Sequence, residues 1–271
     1  MTPVISVIIP LYNKETIIEK CIKSVLNQSF DCFELIIIDD GSTDNSAFIA
    51  KNINDKRINF IKQENGGPSK ARNHGIQASN AEWCVCLDAD DELLPNALEE
   101  MYRLHQEHPT ADIINCSTII RKRDKDFQIR QKKEGFIKNN FKYWFQGGLM
   151  PGTGHSLFRT KLLKKHLYNE RLRRFEDADL LFRLLNDAKL YNSSNITFIV
   201  NTAYSSASNR RECIEEDFVG HLSMKGKSFW EKLCVYKFFL EERDNYPKEM
   251  RNLYANWYKR YDLFLLHKLL K

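Results

Sequence analysis

The sequence has no run of about 18 apolar residues, the least that a bilayer-crossing helix needs, so no transmembrane segment is expected in its 271 residues. It opens Met1-Thr2-Pro3-Val4-Ile5-Ser6-Val7, without a basic leader or a small-residue cleavage site. No secretory signal is therefore expected, and a strand is expected from Val4. No Cys-x-x-Cys pair with zinc spacing occurs. The seven cysteines (Cys21, Cys32, Cys84, Cys86, Cys116, Cys213, Cys234) lie mostly in apolar runs, which reads as reduced, buried thiols in a cytoplasmic protein. No Gly-x-x-x-x-Gly-Lys-Ser/Thr is present, which excludes a P-loop. No internal repeat or low-complexity tract interrupts the chain.

The composition itself is globular, with 42% hydrophobic and 28% charged residues. The net charge of +5 is localised, because residues 221–271 hold 11 Lys/Arg against 6 Asp/Glu and the remainder is balanced. That basic, aromatic segment is read as helical. It fits an amphipathic element lying on an anionic membrane surface somewhat better than the alternative, a helix packed on the rest of the protein with a solvated basic face. No recognition motif accompanies the charge, which argues against a nucleic-acid partner.

Short β-branched runs alternate with amphipathic helices over the first 105 residues. Val4–Pro10, Phe33–Asp39, Ile58–Lys62 and Trp83–Leu87 read as buried strands. Ile17, Ile18, Cys21, Ile22, Val25 and Leu26 fall on one helical face, and further helices are expected over 42–53, 69–78 and from Pro95. This alternation predicts an α/β fold with a mostly parallel central sheet flanked by helices. Ligands of such sheets bind beyond the carboxyl ends of the strands. After residue 110 the pattern loosens: Ile113–Ile120 is a strand, the basic stretch 121–142 a hairpin or loop facing a partner, Ser156–Arg159 a short strand, and Asp177–Leu185 a helix.

Four polar clusters follow these strands. Cys86-Leu87-Asp88-Ala89-Asp90-Asp91 ends a hydrophobic strand in three carboxylates. Such neighbours raise each other's pKa unless a cation sits among them, and hard oxygen ligands suit manganese or magnesium. Taken alone, the triplet fits an acidic helix cap as well as a metal site. Asp39-Asp40-Gly41-Ser42-Thr43-Asp44 places paired carboxylates at a strand mouth, able to accept a base N–H or a ribose hydroxyl. Asn65-Gly66-Gly67-Pro68-Ser69-Lys70-Ala71-Arg72 puts cations in the first turns of a helix, against its dipole, which an anionic ligand would reconcile. Glu176-Asp177-Ala178-Asp179 alone reads as an ordinary helix start.

Pro10-Leu11-Tyr12-Asn13, the Asp39–Asp44 run, the Gly67 to Gly75 loop, Leu87–Asp91 and Glu176-Asp177 with Arg183 occur in an order and spacing that resemble the family-2 inverting glycosyltransferases of the GT-A fold. The resemblance spans residues 4–205. It implies a catalytic domain over 1–205, with a nucleotide-binding half (1–105) and an acceptor-binding half (106–205), followed by a helical extension (206–271). It further implies that Pro10, Tyr12, Asn13, Glu15, Asp40, Arg72, Asp88 and Ala89 border the nucleotide sugar, Asp90 holds the metal, and Asp177 is the catalytic base. Glu176, His155 and Trp144 are candidate acceptor contacts, the last two open also to a surface histidine and a core tryptophan. His105 and His108 are expected in solvent at a helix end.

The implied activity is a metal-dependent, inverting transfer from a UDP-sugar to a glycan or lipid-linked oligosaccharide in surface polysaccharide synthesis. The expected location is the cytoplasm, peripheral to the inner face of the plasma membrane. Two other readings remain: an aspartate-nucleophile phosphohydrolase, which leaves Asp39-Asp40 and Glu176-Asp177 unemployed, and a nucleotide-sugar-binding module without catalysis.

Overall fold

The computed structural model describes residues 2–123, 125–149, 152, 154–203, 216–242 and 245. Its first half runs β1 (Ile5–Leu11), α1 (Ile18–Leu26), β2 (Phe33–Asp39), α2 (Ser46–Lys51), β3 (Ile58–Lys62), α3 (Pro68–Ala78) and β4 (Trp83–Cys86). These four strands are mutually parallel in the order β3-β2-β1-β4. Period-two alternation sends their side chains into two apolar layers. Ile8, Ile36, Ile38, Cys84 and Cys86 enter one layer, while Val7, Ile9, Leu35, Ile37, Trp83 and Val85 enter the other. Both faces are covered, which is why these strands read as continuous apolar runs rather than alternating ones. Cys84 and Cys86 share a face as expected, and both thiols are free and buried.

The chain continues through β5 (Glu92–Leu93), α4 (Ala97–Glu107), β6 (Ile113–Lys122), β7 (Lys125–Ile129), β8 (Gly135–Phe136), α5 (Asn140–Phe145), β9 (Ser156–Arg159), α6 (Thr160–His166), α7 (Glu176–Leu184) and β10 (Leu190–Asn201). A 3-10 turn (Phe218–His221) and α8 (Phe229–Glu242) follow. The sheet extends as β4-β9-β6-β10-β5, with β9 antiparallel to both neighbours and β6 parallel to β10. Two reversals through β9 leave β6 parallel to β4, so the carboxyl ends of β1, β2, β4, β6 and β10 all reach one edge. The basic stretch after residue 120 is indeed a hairpin, β6–β7.

Some local expectations shift. The second helix starts at Ser46 rather than Ser42, because side chains of neighbouring loops claim the preceding amides: Ser42 N donates to Asp39 Oδ1, Thr43 N to Asn13 Oδ1 and Asn45 N to Glu15 Oε2. His105 and His108 are half-buried rather than fully in solvent: His105 lies tilted against Trp83 and His108 stacks on Tyr191, with centroids 4.6 and 3.8 Å apart. β10 escaped the sequence because register shifts between Asn192 and Phe198 break its alternation.

The described part of the basic segment is core. In α8, Leu233, Cys234, Val235, Tyr236, Phe238 and Phe239 are buried in the cluster that holds Phe141, Trp144, Phe182 and Phe218. A helix buried on so many positions does not lie on a membrane surface, so packing holds for 229–242. The rest of the expected membrane contact, beyond residue 245, lies outside the described residues. Trp144 is corrected likewise: it is 6% exposed and wedged between Phe182 and Phe238, which leaves no ring face for a sugar.

Candidate active site

Because β1, β2 and β4 are parallel, the loops that follow them meet at one edge of the sheet. There they enclose a cleft of about 540 Å³, lined among others by Pro10, Tyr12, Asp40, Arg72, Asp88, Ala89, Asp90 and Glu176. Asp40 shapes its floor. Its carboxylate accepts from the Gly66 and Gly67 amides, each at 2.8 Å, and from Gln63 Nε2 at 2.7 Å. That clamp holds Gly67 at φ +89, a left-handed region that penalises side chains. A side chain there would also run into the Arg173 guanidinium, whose Nη1 donates to Gly66 O. A base contact to Asp40 would have to share these oxygens.

Arg72 joins the two chemical halves. It is 4% exposed, its Nη2 donates to Asp88 Oδ1 at 2.7 Å, and its Nη1 to Glu176 Oε1 at 3.0 Å. Its guanidinium also faces the Tyr168 ring at 5.2 Å. Burial disfavours its charge, but the carboxylates of Asp88, Asp177 and Glu176 outweigh that and hold its pKa above the usual arginine value. One buried cation thus ties Asp88 and Glu176, from distant parts of the chain, into a single cleft.

The Glu176-Asp177 pair opens α7 behind a strained residue. Phe175 has φ +57, an outlier for a bulky side chain. It is held from both sides, by the Arg174 guanidinium over its ring at 4.3 Å and by Phe238 of α8. Arg174 in turn donates to buried Asp217 at 2.9 Å, and Arg173 N donates to Glu216 O. The segment after residue 215, in which the sequence showed no motif, therefore supports the start of α7. Arg183 has a scaffolding part: it pairs with Asp179 and donates to the carbonyls of His166 and Leu167, tying α7 to the end of α6.

Asp88, Asp90 and Asp91 each offer an oxygen within 4.8 Å of the others. Burial, then the Asp88 and Asp90 charges, pushes Asp91 up to about 8, a repulsion that a cation relieves. Lys14 Nζ already lies 2.6 Å from Asp90 Oδ2, so positive charge is accommodated there. Asn201 fixes the loop from behind, its amide donating to Asp91 Oδ1 and its Nδ2 to Asp90 O. The donor set fits a hard divalent cation.

Other expected site residues take different places. Asn13 and Glu15 do not line the cleft; they staple their loop to residues 42–45. His155 is 2% exposed beside Phe198, and burial lowers its pKa to about 4. It is neither a surface histidine nor an acceptor contact, because the protein surrounds it. Three cleft cations were overlooked, Lys14, Arg173 and Arg174. Lys14 follows the Pro10–Asn13 motif directly, and Arg173-Arg174 precede Glu176 within three residues, adjacency that could have flagged them.

Comparisons with known proteins agree with this geometry. A family model described as Glycosyl transferase family 2 matches residues 6–167. The chain is 33% identical over 170 residues to the putative glycosyltransferase EpsH of Bacillus subtilis, covering 61% of this chain and 49% of that protein. It is 31% identical over 184 residues to the GalNAc(5)-diNAcBac-PP-undecaprenol beta-1,3-glucosyltransferase of Campylobacter jejuni, covering 62% of this chain and 55% of that protein. The matches thus span about half the length of these relatives. The crystal structure of S. aureus TarS 1-349 in complex with UDP-GlcNAc aligns with a TM-score of 0.74 at 21% identity, over 90% of this chain and 73% of that one. The shared architecture is the GT-A fold.

Proposed function

The chain belongs to glycosyl transferase family 2, and on that premise we propose that it moves a sugar from a nucleotide-diphosphate donor, a UDP-sugar, to a hydroxyl of a glycan or lipid-linked oligosaccharide. The observation that carries this reading is the Arg72 fork, which ties Asp88, beside Asp90, and Glu176, at the start of α7, into the lining of one cleft; Asp177 follows Glu176 directly and its charge acts on Arg72. A donor diphosphate would lie against Asp88, Asp90 and the cleft cations, with the acceptor hydroxyl toward α7. Asp177 takes the hydroxyl proton as the new bond forms, since a sugar hydroxyl is otherwise a poor nucleophile. Attack opposite the leaving group in a single displacement inverts the anomeric centre. Asp88, Asp90 and Asp91 would hold manganese or magnesium, which when bound would neutralise charge on the leaving nucleoside diphosphate, while Arg72 adds to the same field.

The relative from Campylobacter jejuni is named for an undecaprenol-linked acceptor. With that support, we place the reaction in surface polysaccharide synthesis at the cytoplasmic face of the plasma membrane. The test is nucleoside diphosphate release across a panel of nucleotide sugars, with and without manganese. Asp177→Asn is expected to keep UDP affinity and lose about 10²–10⁴-fold in turnover. Asp88→Asn with Asp90→Asn is expected to remove the manganese dependence of UDP binding. Full turnover in Asp177→Asn overturns the base assignment. UDP binding without any sugar release would instead indicate a binding module, and a phospho-aspartate a hydrolase.

A further inference from the structure

We propose that the β6–β7 hairpin is a docking element that rests on an anionic lipid surface and holds the cleft against it. The hairpin rises from beside the carboxylate loop: Arg121 lies 3.5 Å from Glu92 and pairs in register with Asn201, whose side chain holds Asp90. Its two faces differ. On one, Arg121 pairs with Asp126 and Arg130 with Gln128, so polar groups satisfy each other. On the other, Ile120 stands opposite Phe127 and Lys122 opposite Lys125, with Ile129 next along β7. Phe127 and Ile129 are 49% and 40% exposed.

This second face works against the stability of an isolated hairpin. The Lys122 ammonium lies over the Phe127 ring at 5.9 Å, yet like charges directly opposite each other repel, Phe127 and Ile129 stay largely in water, and Arg123 at the tip takes φ +45, a region that suits glycine better. Lysines on an edge strand discourage pairing with another chain, but that purpose does not call for Phe127 and Ile129 beside them. Residues 121–133 hold 7 Lys/Arg against 2 Asp. An apolar stripe rimmed by lysines is the pattern of an interfacial segment, whose side chains enter the acyl boundary while the ammonium groups meet anionic headgroups. A soluble polyanion would relieve the charge yet leave the stripe in water, which favours the lipid surface.

The experiment is sedimentation of the full chain with phosphatidylcholine vesicles, with and without phosphatidylglycerol. Binding is expected only to the anionic vesicles and is expected to weaken with salt. Lys122→Gln with Lys125→Gln is expected to lower the partition about 25-fold, about fivefold per lysine near the surface. Phe127→Ser with Ile129→Ser is expected to lower it about tenfold or more at unchanged charge. Failure to bind anionic vesicles overturns the proposal, as does wild-type partition in the lysine variant, which would move the contact elsewhere on the chain. An unchanged partition in the Phe127/Ile129 variant, with equal binding to dextran sulfate, replaces the lipid by a polyanionic partner. The readout is binding, so it stands or falls apart from the transfer chemistry.

Discussion

Replacing Arg72 with lysine isolates the geometry of the site from its charge. The guanidinium reaches two carboxylates through separate nitrogens, at 2.7 Å to Asp88 and 3.0 Å to Glu176. A single ammonium at the end of an unforked chain cannot span both, so one contact is lost while the positive charge remains. A hydrogen bond to a charged group contributes about 1.5–3 kcal/mol. Asp88 is 45% exposed and can be rehydrated, whereas Glu176 is 15% exposed and suffers more from losing its partner. A loss near 2 kcal/mol corresponds to about a 30-fold fall in kcat/KM if the fork is intact when the bond is made. The same loss lowers the thermal midpoint by about 4–8 °C in a chain of this size. Steady-state release of nucleoside diphosphate measures the first quantity and calorimetric melting the second. A variant within twofold of wild type in kcat/KM, melting at the same temperature, would show that Arg72 does not hold the two halves together.

The segment after residue 215 should act on the site through Arg174. Asp217→Asn keeps an acceptor for the Val219 amide but removes the charge facing Arg174, so the thermal midpoint should drop by about 3–10 °C. Turnover should fall more than donor affinity, because Phe175 and Glu176 follow directly; equal losses in kcat and UDP binding would refute that split. Burial depresses the His155 pKa to about 4, so the unfolded chain takes up a proton first as pH falls. Stability is therefore complete above about pH 6.5 and is lost as pH drops toward 4, with about 2 kcal/mol gone between pH 7 and pH 5. Urea midpoints at those pH values, compared with His155→Gln, test this; identical pH slopes in the two proteins would remove His155 as the cause. Gly67→Ala should lower donor affinity, because the turn clamped by Asp40 cannot keep its positive φ without strain; wild-type calorimetric affinity would show that the turn adapts.

The sequence by itself determined the parallel half of the sheet, because strands buried on both faces must be apolar throughout and α1 must show a 3.6-residue stripe. It also determined the ends of those strands, where carboxylates, glycines and a prolyl turn stand at positions the packing does not require. These local periodicities need no knowledge of distant chain. What lay beyond them was decided by partners far apart in sequence. Arg72 could be placed near a phosphate, but its fork to Asp88 and Glu176 exists only once α3 and α7 are brought together. Asn13 and Glu15 looked like nucleotide contacts, yet the unpaired amides of residues 42–45 claimed them. Trp144 and His155 have side chains that serve equally at a surface or in a core, and only the aromatic neighbours from α7, α8 and β10 settled which. The basic, aromatic C-terminal stretch read as surface because its charge is visible in sequence. The burial of α8 depends on a cavity formed by other elements, and that surface is a property of the tertiary structure alone.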